Sequence, residues 1–250
     1  MTMNTNYWVA YLLIIGSIVV WPLVVPRGRK VSDGVVGAIS IFGGAFLFAS
    51  CFINLIPHIY VDGFTTPQLH IKTGVFVLAG FLLQTVIEHF TNGIEHTHTA
   101  SNEYNLPVAG LMAGLCLHAF IEGMPLTDSN GDIHQALLYG IVLHNIPIAI
   151  ILTSLFASQQ THRGKTLLLM TLFAVMTPLG SIVGNTIIAQ GNTTVQSMLM
   201  ALVVGILMHV SVSILFGSNG KEFRWWKILL IMVAFAAAYL TPGCPEIYPH

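Results

Sequence analysis

Eight stretches of this chain are apolar over about 17–25 residues, the length a helix needs to cross the hydrocarbon of a bilayer. They lie at roughly 8–26, 34–57, 71–90, 106–126, 133–156, 166–190, 195–217 and 226–242. Few folds remain open to such a chain. Hydrocarbon offers the backbone no water, so each crossing segment must satisfy its own N–H and C=O groups as a helix. Composition agrees, since only 8% of the residues are charged, against about 25% in an ordinary soluble domain. No linker or shift of composition divides the runs. The expectation is an all-α integral membrane protein: one domain over 1–250, built as an eight-helix bundle.

The basic residues orient that bundle. Arg27, Arg29 and Lys30 fall in the first loop, Arg163 and Lys165 in the fifth, and Lys221, Arg224 and Lys227 in the seventh. These loops share one side, and only Lys72 lies elsewhere. The pattern places the odd loops in the cytoplasm and both termini on the extracellular or periplasmic side of a plasma or inner membrane. The N-terminal MTMNTNY carries no positive charge ahead of the first run, which argues for a retained span over a cleaved leader. A formal net charge of −1, with no stripe of basic and aromatic residues, gives no sign of nucleic-acid binding. Cys51, Cys116 and Cys244 form no CxxC pair, so neither a disulfide framework nor a thiolate metal knot is expected. The ten methionines are scattered and read as packing. Trp8, Trp225 and Trp226 sit at span ends, as interfacial anchors do.

Against this background the ionisable residues inside the runs stand out. The fourth run contains LHAFIEGMPL, with His118 and Glu122 four residues apart and therefore on one helical face near mid-membrane. The fifth contains GIVLHNIPIAI, with His144, Asn145 and Pro147 at a similar depth. A charged side chain at the bilayer centre costs about 2.5–3.5 kcal/mol even on the lenient insertion scale. A divalent cation is the simplest compensation, because imidazole nitrogen and carboxylate oxygen both ligate zinc and its neighbours. For His118 and Glu122 alone, a proton relay or a structural pair between helices explains the pattern equally well. Adding His144 favours the ion. Pro147 removes a helical hydrogen bond and crowds the carbonyl of Leu143, so a kinked fifth helix with a free carbonyl beside the ion is expected. Transporters use such unwound sites at the midplane.

The residues quoted above resemble those of the ZIP (Zrt/Irt-like protein) family of divalent-metal transporters. His118-Ala-Phe-Ile-Glu122-Gly123 is similar to the family's fourth-span H-x-x-x-E-G, and His144-Asn145-Ile146-Pro147 to its fifth-span motif. Thr177-Pro178-Leu179-Gly180 through Gly184 resembles the sixth-span P-x-G-x-x-x-G, and Asn54-Leu55-Ile56-Pro57 the end of the second span. The resemblance implies metal uptake toward the cytoplasm through a site between spans four and five. It also implies one helical bundle sliding against another, in many members within a homodimer. The chain would be a divergent member. Where the fifth-span motif normally continues with glutamate, this chain has Ile148, and after the fourth-span histidine, where a polar residue is common, it has Ala119. His209-Val-Ser211-Val-Ser213 stands near where span seven often has an acidic residue. Relatives that hold two ions would here be reduced to one, held by His118, Glu122, His144 and Asn145. The cargo would be Zn²⁺, or Fe²⁺ or Mn²⁺, with no organic cofactor.

Auxiliary residues divide between roles. His209 reads first as a buried histidine satisfied by a serine or a carbonyl, and second as a ligand. Asn54 suits either a contact on the ion's path or an interhelical hydrogen bond. Glu88 and His89, expected in the wetter interface, could combine with Glu95, His96 and His98 of the third loop as an exit or sensing site, although a solvated polar loop explains each singly. His58, Asp62 and His70 are placed outside, where they could gather cations. Three other classes share the features: a membrane-embedded zinc hydrolase, a haem protein ligated by His144 and His209, and a relative that senses metal without carrying it. The hydrolase reading lacks an H-E-x-x-H helix and a second carboxylate to act as general base.

Overall fold

The computed structural model of the 250-residue chain describes residues 5–25, 31–61, 67–91, 108–127, 132–188, 193–217 and 225–241. The described residues form helices α1 (Thr5–Val24), α2 (Asp33–Ser50), α3 (Ile56–Val61), α4 (Pro67–Thr91), α5 (Val108–Gly123), α6 (Gln135–Ser158), α7 (Arg163–Ile188), α8 (Thr193–Gly217) and α9 (Trp225–Leu240). A π-helical turn, Cys51–Leu55, joins α2 and α3 into one rod. An isolated bridge between Thr127 and Ile133 closes the turn from α5 to α6.

Each apolar run thus falls on one rod, although not every rod is equally suited to crossing a membrane. Five are long and apolar enough: Tyr7–Val24, Gly34–Tyr60, Gln135–Ser158, Arg163–Ile188 and Thr194–Gly217. α5 and α9 are apolar but have 16 residues each, a rise of about 24 Å against a hydrocarbon core of about 30 Å. α5 stops at Gly123 because Pro125 disfavours helical geometry at Met124. α4 has 25 residues, with Lys72 and Glu88 toward its two ends. The exterior is apolar. Leu78, Leu168 and Leu229 are each about two-thirds exposed or more, a surface that suits lipid and would invite aggregation in water.

Packing sorts the helices into two groups. α5 packs on α7, and α1 on both α6 and α7, which links α1, α5, α6 and α7 into one group, although α6 leans as closely on α2 as on α1. α2, α4, α8 and α9 form the second group, chiefly through α4 on α8 and α2 on α9. The groups meet mainly along α2 and α6, with a smaller contact of α4 on α5. Small residues let the backbones inside each group approach closely. A Cβ on Gly123, Gly180 or Gly184 would overlap the carbonyl oxygens of Thr177, Phe120 and Met124 respectively, all at the α5–α7 crossing. The α4–α8 crossing repeats the device with Gly80 against Leu202 and Gly205 against Val77. Between the groups the fit is less severe, since a Cβ on Gly43 would lie 3.1 Å from the Leu143 carbonyl oxygen and one on Gly140 2.8 Å from Leu47 Cδ1, the end of a flexible side chain.

Two local features differ from the sequence reading. α6 is helical throughout from Gln135 to Ser158, across Pro147, so the site is not unwound there. The Leu143 carbonyl that Pro147 leaves without its helical donor packs against Gly43 of α2, where the absent side chain makes room. The irregular backbone occurs instead in the second run. Pro57 lacks an N–H and crowds the preceding turn, and the rod widens so that the N–H of Ile56 bonds to the carbonyl of Cys51.

Candidate metal site

His118 and Glu122 lie one turn apart on α5, and His144 faces them from α6. All three are buried: 4% exposed for His118, 1% for His144 and none for Glu122. His118 Nε2 is 3.6 Å from Glu122 Oε2, and the rings of His118 and His144 are edge-on with centroids 5.9 Å apart. The unsatisfied atoms are the decisive feature. His118 Nε2, both carboxylate oxygens of Glu122 and both ring nitrogens of His144 are buried without a hydrogen-bond partner, as is Nδ2 of neighbouring Asn145. Leaving one buried polar group unpaired costs about 1–3 kcal/mol, more for a charged one. A cation replaces that cost with ligand bonds.

The spacing is close to what an ion needs. Two ligands, each about 2.1 Å from a tetrahedral zinc, stand about 3.4 Å apart, a few tenths below the His118–Glu122 distance. Among the described residues, however, no three His, Cys, Asp or Glu side chains already form a closed metal cage. What the structure brings together is the pair His118 and Glu122, with the His144 ring centroid 5.9 Å from that of His118.

Gln84 on α4, which the sequence reading passed over, fixes the orientation of His118. Its Oε1 lies 2.9 Å from His118 Nδ1, and Gln84 is itself buried. With Nδ1 donating to that amide oxygen, the lone pair resides on Nε2, the nitrogen facing Glu122. The signal was present as Gln84 and Glu88 one turn apart in an apolar run.

Those two polar residues have different partners. Glu88 Oε2 is 3.5 Å from His209 Nδ1, and the His209 ring meets Phe81 edge-on at 4.8 Å. His209 thus lies against a carboxylate on α4, which its sequence neighbourhood did not suggest; the Ser211 hydroxyl donates to the Met208 carbonyl. Glu88 is part-buried, and only His89 is exposed in the manner expected of an interface. Glu95, His96 and His98 lie outside the described residues, as does Asp62. Asn54, buried on the π turn, donates from Nδ2 to the Ala238 carbonyl at 3.3 Å, an interhelical bond to α9.

Ala119 and Ile148, two of the departures from the family pattern, are both buried in an apolar cluster with Leu111, Met112, Leu152 and Phe173. The side of the site that would need further polar donors is packed with hydrocarbon.

A second pair of imidazoles lies elsewhere. His58 on α3 and His134, immediately before α6, are both buried, with ring centroids 4.8 Å apart. The His134 N–H donates to Leu126 across the turn from α5.

The fold and this cluster define a class: a multi-pass membrane helical bundle with histidine and glutamate side chains, of the types that can ligate metal, buried between its helices. Comparison with protein families carries the assignment further. A model described as ZIP zinc transporter matches residues 95–237, just over half of the chain, from the third loop through most of α9. The chain belongs to the ZIP family and is a transmembrane transporter of divalent metal ions. A comparison with curated proteins gives no match. The matched region contains His118, Glu122, His144 and His209, whereas Asn54 and Gln84 precede it.

Proposed function

We propose that the protein carries Zn²⁺ into the cytoplasm, one ion at a time, through a site made by His118, Glu122 and His144 with Asn145 beside them. The carrying observation is the set of five unpartnered nitrogen and oxygen atoms on those three side chains, all buried between α5 and α6. Zinc suits two imidazoles and a carboxylate, and three protein ligands with an open position suit an ion that must be released. Iron(II) and manganese(II) tolerate the same donors. One carboxylate against a dication leaves the site net positive, which favours release and makes Glu122 the most sensitive of the three. The apolar surroundings of Ala119 and Ile148 support a single ion.

The direction, toward the cytoplasm, is what the family resemblance implies, and it goes with eight crossings and both termini outside. Two contacts support that topology. Arg163 Nη2 donates to the Leu23 carbonyl at 3.0 Å, bringing the end of α1 and the start of α7, both beside basic loops, to one end of the bundle. His58 and His134 bring the second and fourth loops together. The family resemblance supports one transporter domain over 1–250, residence in the cell membrane and assembly as a homodimer. The hydrolase reading gains nothing from the family match.

The test is metal flux into proteoliposomes loaded with a divalent-ion dye, comparing the native chain with Glu122→Ala and His144→Ala. Zinc, iron(II), manganese and cadmium are offered separately. Uptake that both substitutions abolish establishes the site, and the ion series names the preference. Binding of an ion without flux would sink the transport reading and leave a sensor.

A further inference from the structure

We propose that His58 and His134 form a second divalent-cation site at one end of the bundle, where an ion would bridge the two helix groups. The pair is separate from the central cluster in sequence and in place. His58 sits in α3, which packs against α4 and α8, while His134 leads into α6 of the other group. Their rings are tilted by 58° with centroids 4.8 Å apart, and each residue is 7% exposed. His134 Nε2 is buried with no hydrogen-bond partner, an arrangement that wastes a strong acceptor unless something occupies it. The Thr127 hydroxyl oxygen, on the strand-like turn opposite Ile133, is buried and unpartnered as well. Two imidazoles about 2.1 Å from a shared ion require ring centroids about 5 Å apart, which is the spacing present. Two protein nitrogens with water completing the shell make an exchangeable site that suits zinc, nickel or copper(II) better than calcium or magnesium. An ion held by both histidines ties α3 to the start of α6, so its binding is linked to the relative position of the groups. The proposal rests on the transporter reading only in placing this end outside; the binding itself does not.

The experiment measures zinc bound per chain by equilibrium dialysis of the full-length protein in lipid nanodiscs. Native chain, His58→Ala/His134→Ala and Glu122→Gln/His144→Ala are compared, with helical content checked by circular dichroism. The expected result is one fewer ion per chain in each double variant, and the remaining ion lost when the two are combined. Hydrogen exchange on the Glu122→Gln/His144→Ala chain supplies a readout that leaves the outer histidines intact: zinc should slow exchange in Ile56–Val61 and around residues 132–137. Unchanged stoichiometry in the His58→Ala/His134→Ala chain, or no zinc-dependent protection of those segments, overturns the proposal. In the native chain, an outer ion bound without a central one would overturn the central-site reading alone, and a central ion bound without an outer one would overturn the outer site alone.

Discussion

Replacing Gln84 with leucine should weaken zinc transport without touching any atom that ligates the ion. The side chain is buried on α4, and its amide oxygen receives the Nδ1–H of His118 at 2.9 Å. Removing it has two separable effects. First, the two neutral tautomers of His118 become comparable in energy, which by itself weakens Nε2 ligation by about a factor of two. Second, the Nδ1–H loses a buried acceptor, at about 1–3 kcal/mol, and the ring loses its orientation. Where zinc binding requires that lost orientation, the combined effect is a fall of about 10–100-fold in affinity, the range found for outer partners of metal-bound histidine. The assay is the zinc-concentration dependence of uptake into proteoliposomes. The half-saturating concentration should rise by that factor, while the amount of folded protein stays constant. Gln84→Glu keeps an acceptor at the same place and should retain native or tighter affinity. Equal half-saturating concentrations for the native chain and Gln84→Leu would refute the claim that the amide orients His118.

Further outcomes follow from the same geometry. Glu122→Gln, which keeps the shape but removes the negative charge, should abolish uptake, whereas His118→Asn and His144→Asn should leave measurable residual flux at saturating zinc; equal loss in all three would deny the carboxylate its special place. Gly180→Ala and Gly205→Ala drive a Cβ into a neighbouring helix carbonyl, and each should lower stability by about 1–3 kcal/mol. Gly16→Ala and Gly37→Ala meet nothing within 4 Å and should be neutral or stabilising by up to about 1 kcal/mol, as thermal unfolding in detergent will show. Ile148→Glu places a carboxylate among Ala119, Leu152 and Phe173; the variant should melt below the native chain in chelator and recover selectively when zinc is added.

Much of this was legible in the sequence because hydrocarbon imposes it. Eight apolar runs became eight helical rods, and His118, Glu122 and His144 were conspicuous as ionisable residues where such residues are expensive. Their meeting followed from two helical positions at equal depth. What stayed hidden was tertiary in origin. Glu88, which lies against His209, is 121 positions away on another helix, and no local pattern signals that approach. Gln84 is a neutral amide, which a membrane helix accommodates far more readily than a charge, so it gave no comparable signal. Pro147 was misleading for a physical reason: the carbonyl it frees finds space against Gly43, a residue of α2 on the far side of a helix–helix contact. The π turn at Cys51–Leu55 likewise depends on how the chain relaxes around Pro57.

The division of labour between the helix groups has a consequence for affinity. His118, Glu122 and His144 all belong to the group of α1, α5, α6 and α7, so an ion bound to them travels with that group if the groups shift. Gln84 belongs to the other group, on α4. Any displacement of one group along the other stretches the Gln84–His118 hydrogen bond, while the His118–Glu122 distance, set within a single helical turn, is preserved. At the α2–α6 boundary a Cβ on Gly43 would meet a carbonyl at 3.1 Å and one on Gly140 a flexible side-chain end, whereas the glycines inside each group interlock with backbone carbonyls, so this boundary is the easier one to slide. Affinity is then tied to position: tighter where the amide holds the imidazole, weaker by about the 10–100-fold worth of an outer partner where it does not. A carrier needs that asymmetry, because a site equally tight in both arrangements has no differential free energy with which to favour either.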